Sequence, residues 1–167
     1  AQILIDSYSV DTVIVAGVAG GIDSKIKLFD TVVATETAYH DVSGEILTEF
    51  HPWMESAWFE SDKKLVLCAK KALSDNRRVF YGRIVTGESF IEDDGREEII
   101  RNFSPLAVDM ESAAVAHVCY VNSVPFIAVR SVTDTAEHGG HDNFEMNCER
   151  ASSIAKDITL RIIAEIS

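Results

Sequence analysis

Thr12-Val13-Ile14-Val15-Ala16 is an unbroken apolar, β-branched run that stops at the cluster Gly17-Val18-Ala19-Gly20-Gly21. A run with no polar face reads as a strand covered on both sides, which points to a layered α/β protein rather than an open antiparallel sheet. Residues 31 to 39, 79 to 86, 106 to 108 and 126 to 132 read as further strands. The chain between and after them has helical spacing in four places, so strands alternate with helices throughout.

Residues 1 to 9 read as the end of a helix. Between residues 61 and 74 the apolar side chains Leu65, Leu67, Cys68, Ala72 and Leu73 are expected inward, with Lys63, Lys64, Lys70 and Lys71 facing water. A short helix over residues 96 to 102 is expected to bury Ile99 and Ile100. Met110, Ala113, Ala114, His117, Val118 and Val121 recur as one helical face, Pro125 ends that turn, and residues 144 to 166 form a long closing helix. Residues 40 to 60 have no steady period and read as a long loop, of the kind that carries function or an interface. Shorter loops are expected over residues 87 to 94 and 136 to 143. No repeat or internal linker divides the chain, so residues 1 to 167 are expected to form one domain.

With 15 Lys and Arg against 27 Asp and Glu, the formal charge of -12 repels phosphate backbones and anionic lipid, which argues against nucleic acid and membranes as partners. No apolar stretch approaches the roughly 20 residues needed to span a bilayer. Cys68, Cys119 and Cys148 are odd in number and form no C-x-x-C pair, which fits a reduced, cytoplasmic protein. Ala1-Gln2-Ile3-Leu4-Ile5 has no initiator Met and no basic flank, and reads as a chain entered partway through a larger protein.

Four strand ends are expected to converge: residues 17 to 21, 86 to 91, 109 to 111 and 130 to 134. Crevices beyond strand carboxyl ends are where α/β sheets bind ligands. Gly17 and its neighbours allow close backbone approach, although the cluster matches neither phosphate-loop nor dinucleotide fingerprints. Asp109-Met110-Glu111 lies between a strand and a helix, where its carboxylates either cap the helix or accept from sugar hydroxyls. Residues 129 to 135 deliver Arg130, Thr133 and Asp134 to the end of an apolar strand. His138-Gly139-Gly140-His141 lacks a third well-placed ligand, so no metal and no cofactor are expected. No G-x-S-x-G elbow or activated cysteine supports covalent catalysis. Trp53, Trp58 and Phe59 read as core or interface.

Residues 16 to 22, 86 to 91, 108 to 114 and 129 to 134, in this order, resemble the nucleoside phosphorylase superfamily, and most closely its bacterial 5′-methylthioadenosine/S-adenosylhomocysteine nucleosidases. Tyr39-His40-Asp41 after the second strand extends the likeness. The resemblance implies a three-layer α/β/α fold around a mixed, twisted sheet, and a homodimer with the loop after Tyr39 at the interface. It implies a small nucleoside as substrate and hydrolysis of its N-ribosidic bond to adenine and a thioribose sugar. Asp134 matches the general acid that protonates the departing purine, and Arg130 an arginine near the attacking water. Glu111 matches the acceptor of ribose hydroxyls, Met110 the residue packed on the sugar, and Asp109 their acidic neighbour. Phe90 and Ile91 match the purine slot, Phe144 a wall for the 5′-alkylthio group, and Gly17, Val18 and Thr133 complete the binding residues.

The chain departs from the family pattern in two places. Val18 stands where a Ser or Thr is usual and cannot hydrogen-bond a water or phosphate. The motifs also enter the pattern after its first strands, whose glutamate activates water, so the chain is expected to match about the C-terminal two-thirds of the family without those strands. The alternatives are a phosphate-dependent purine nucleoside phosphorylase, a reading that Val18 weakens, and a catalytically silent purine-nucleoside-binding module, because the water-activating base is absent.

Overall fold

The computed structural model describes residues 1–91, 95–137 and 141–166. Its elements run α1 (Gln2–Tyr8), β1 (Val13–Gly21), β2 (Thr31–Tyr39), α2 (Gly44–Glu49), β3 (Phe59–Glu60), α3 (Lys63–Ala72), β4 (Val79–Thr86), α4 (Arg96–Phe103), β5 (Ala107–Asp109), α5 (Ser112–Val121), β6 (Phe126–Asp134) and α6 (His141–Ile166). The strands form one mixed sheet in the order β3-β2-β4-β5-β1-β6, and β6 also pairs antiparallel with β2. That second pairing joins Thr31, Val32 and Val33 to Ser131, Arg130 and Val129, so the twisted sheet curls until β6, at one end of that order, meets β2 near the other. All nine residues of β6 are buried. Helices cover both sides: α3 and α6 meet around Leu65, Ala69, Ile158 and Ile162, while α5 contributes Ala113, Ala116 and Cys119 to the larger core.

Two registers decide where the site forms. β1 runs parallel to β6 and β4 runs parallel to β5, but β1 and β5 pair antiparallel, the last two residues of β1 meeting the first two of β5, Gly20 with Val108 and Gly21 with Ala107. The carboxyl ends of these four strands therefore cross at one place, and whatever side chains they carry are brought together there.

Several sequence expectations need correction. The glycine cluster read as the end of β1 is strand through Gly21. The irregular stretch over residues 40 to 60 contains α2 and β3, both too short to leave a periodic signal. In α5 the period is right and the phase is not: Ser112, Ala113, Ala116 and Cys119 are buried, Ala114 and Val121 are exposed, and Met110 precedes the helix. Leu67 and Ile100 face water rather than the core. An isolated amphipathic helix has several apolar stripes of similar width, and only its neighbours choose among them. Residues 92–94 of the expected loop and His138-Gly139-Gly140 of the rejected metal tract lie outside the described residues. No described helix is long and apolar enough to cross a membrane.

Candidate active site

The crossing strand ends open onto a cavity of about 360 Å³, lined by residues 18 to 20 of β1, 89 to 91 after β4, 108 to 111 at the end of β5, Thr133 and Asp134 of β6, and His141 and Phe144 of α6. This volume suits one small organic ligand.

Asp109 organises one wall. Its Oδ1 accepts from the Thr86 hydroxyl at 2.6 Å, and from the backbone N–H groups of Ser112 at 3.1 Å and Glu111 at 3.3 Å. Its Oδ2 accepts from the Ser112 hydroxyl and lies 2.8 Å from Arg130 Nε. Thr86 in turn accepts from the Ala113 N–H at 2.9 Å. The first turn of α5 is thus capped from two strands, and the anion sits where the helix dipole favours it. Both Asp109 oxygens are occupied by protein donors, so capping, one of its two sequence readings, accounts for this residue. Its neighbours differ: Met110 is 45% exposed and the Glu111 side chain 60% exposed, both at the cavity.

Arg130 and Gly17 were both expected at the ligand, and neither lines the cavity. Arg130 is buried behind the wall, bound through Nε to Asp109 and Ser112, with Nη2 3.2 Å from Glu111 Oε2. A Cβ on Gly17 would stand 2.3 Å from Arg130 Nη1, so glycine at this position makes room for the guanidinium. Arg130 thus ion-pairs with Glu111 from behind the cavity wall.

Asp134 lies on the other strand of the β1–β6 pair, opposite Gly20, where a Cβ would be only 3.0 Å from Oδ2. Asp134 is 3% exposed, and burial pushes the pKa of its carboxyl up from the ordinary value. The Thr133 hydroxyl, 2.7 Å from Oδ1, and the Arg96 cation pull in the opposite direction but do not win. Asn147 Nδ2 donates to the Thr133 carbonyl at 2.9 Å and fixes this strand end to α6.

An aromatic wall completes the cavity. Phe90 meets Phe144 edge-on with ring centroids 6.0 Å apart, and His141 stacks on Phe144 at 5.9 Å with 8° between the planes. Such faces suit a flat heterocycle or a polarizable thioether. The charged residues lining the cavity are Asp109, Glu111 and Asp134; no Lys or Arg is among the described lining residues, and His141 pairs with Glu145 at 3.4 Å.

Of the expected residues, Val18, Phe90, Ile91, Asp109, Met110, Glu111, Thr133, Asp134 and Phe144 line the cavity. Ala19, Gly20, Ser89, Val108 and His141 line it as well and were not singled out. Gly20 and Ser89 lie inside motifs already noted, and His141 was set aside with the His-Gly tract. Among the described residues no group of three or more His, Cys, Asp or Glu is placed to hold a metal ion.

The family model described as the phosphorylase superfamily matches residues 1–164. A 5′-methylthioadenosine/S-adenosylhomocysteine nucleosidase of Actinobacillus succinogenes is 37% identical over 98% of this chain and 74% of its own length. The protein of the same name from Bacillus subtilis is 36% identical over the same shares. Among solved structures, the S-adenosylhomocysteine nucleosidase of Streptococcus pyogenes with 5-methylthiotubericidin aligns at a TM-score of 0.89, with 27% identity over 99% of this chain and 72% of that one. The Neisseria meningitidis nucleosidase with methylthio-immucillin-A aligns at 0.85, with 32% identity over 96% of this chain and 72% of that one. The chain thus spans nearly three-quarters of these relatives, somewhat more than the motifs alone indicate.

Proposed function

Because the chain belongs to the phosphorylase superfamily, we propose that it hydrolyses the N-ribosidic bond of 5′-methylthioadenosine and S-adenosylhomocysteine, releasing adenine and the thioribose sugar. The observation that carries this reading is a buried carboxyl, Asp134, held toward its protonated form at the edge of an apolar, aromatic-walled cavity. As the bond from C1′ to the base breaks, its electron pair passes to the purine, and Asp134 delivers a proton to ring nitrogen N7. The carboxyl is then recharged from solvent. Glu111, oriented by Arg130, accepts from the ribose hydroxyls while the Met110 side chain covers the sugar. Phe90 and Ile91 hold the purine, and Phe144 faces the 5′-alkylthio group. Water adds to C1′ and releases a proton.

The cavity's charge separates hydrolysis from phosphorolysis. A phosphate dianion is best held by cations, whereas the described lining carries three carboxyl groups and no Lys or Arg, Val18 offers only methyl groups, and the Thr133 hydroxyl is engaged with Asp134. Adenine release from methylthioadenosine in phosphate-free buffer is the test; turnover that requires phosphate and yields a sugar 1-phosphate would replace the hydrolase with a phosphorylase.

One observation keeps a binding module in view. Among the described lining residues no carboxylate is free to take the proton of the attacking water, since Asp109 is saturated, Glu111 is paired and Asp134 is the acid. Calorimetric binding of a methylthioadenosine analogue without turnover would select that alternative. The three thiols, unpaired in this structure, fit a reducing cytoplasm. The exposed Ile46, Phe50 and Trp53 after Tyr39 support a homodimer through that segment.

A further inference from the structure

Arg96 is the first residue of α4 and is half-buried, yet its guanidinium has no carboxylate partner among the described residues. Its Nη1 donates to the Gly21 carbonyl at 3.1 Å, and its buried Nε has no partner there. Gly21 is the last residue of β1 and follows Gly20, which pairs in register with Asp134 and lies directly against its carboxyl. The cation is therefore clamped onto the strand end that backs the proton donor. The other charged groups around Asp134 are engaged elsewhere: Asp109 and Glu111, on the turn into α5, face Arg130, and His141 on α6 faces Glu145. Thr133, next to Asp134 on β6, contributes only a hydroxyl.

We propose that Arg96 is a positioning residue for proton delivery, holding its charge at the end of β1 so that it stabilises the carboxylate left on Asp134 when the proton has gone. The proposal rests on the nucleosidase reading for its chemistry. Burial alone makes Asp134 a good holder of a proton and a poor donor, because the anion it becomes is stranded in an apolar cavity. A nearby cation that does not bind the carboxyl directly offsets part of that cost, and Arg96 is the charged residue that lowers the proton affinity of Asp134. A general acid works best with its pKa close to the working pH, so such a counterweight raises the rate of transfer without emptying the protonated form.

The test compares Arg96→Met and Arg96→Lys in the full chain. In Arg96→Met the alkaline limb of the kcat/KM profile for adenine release moves to higher pH, and plateau kcat falls on the order of tenfold with KM little changed. In Arg96→Lys both stay near wild type. The titration of the Asp134 side-chain carboxyl, followed by carbon-13 NMR, moves in the same direction and needs no turnover, so it tests the electrostatic proposal even if the chain releases no adenine. An unmoved titration in Arg96→Met, or an Arg96→Lys variant that shifts as far as the Met variant, overturns the proposal and leaves Arg96 a clamp on β1.

Discussion

At Asp134 two demands oppose each other, because the burial that keeps the carboxyl protonated also makes its ionised form costly to the fold. Its folded-state pKa is raised, so its contribution to stability is complete below the unfolded pKa and is lost as pH rises through the folded value. Asp134→Asn removes this dependence. It is expected to lower kcat by about 10²–10⁴-fold, the range typical of a lost general acid. It is also expected to melt a few degrees above wild type at neutral and alkaline pH, a gain on the order of 1 kcal/mol, with the gap closing in acid. Adenine release and thermal melts across pH check the two halves separately. Gly17 makes a second residue-scale prediction. Gly17→Ala drives a methyl into Arg130, and overpacking of this kind costs about 1–3 kcal/mol. Denaturant unfolding measures that loss, and a raised KM reports the release of Glu111 from its partner.

The element that decides the site is the start of α5. Its first turn is tied to β4 through Thr86, to β5 through Asp109 and to β6 through Arg130. Asp109→Ala leaves Arg130 buried beside a carboxylate that only Glu111 supplies, and breaking a buried pair in this way is expected to cost about 3–5 kcal/mol. A fall in the denaturant midpoint, with loss of analogue binding in whatever fraction stays folded, is the expected result. The sequence placed acidic residues at this helix start and left open whether they cap or bind. Their difference, with Asp109 buried and bound by protein donors and Glu111 exposed at the cavity, follows from contacts with residues on other strands that no local spacing encodes.

Across the whole molecule, curling of the sheet brings β6 between β1 and β2, and the antiparallel crossing of β1 and β5 aims four strand ends at one cavity. The exposed apolar side chains of the segment after β2 belong to this scale too. The chain is expected to sediment as a dimer, and Trp53→Glu to shift it toward a species near 18.4 kDa. Sedimentation velocity reads both directly.

Because steric preference is written along a single element, the amino-acid order alone determined the alternation of strands and helices, including the bounds of β2 and β4, although β2, whose alternation suggests one polar face, has no exposed residue. It also marked the segments that meet at the cavity, since polar residues ending an apolar strand stand out locally. Only the tertiary structure decided which stripe of α5 turns inward, that Gly17 serves Arg130, that His141 joins the aromatic wall, and that α2 and β3 order part of the long loop. Each of those outcomes depends on atoms distant in sequence competing for one volume or one charge, and that competition exists only once the chain has closed on itself.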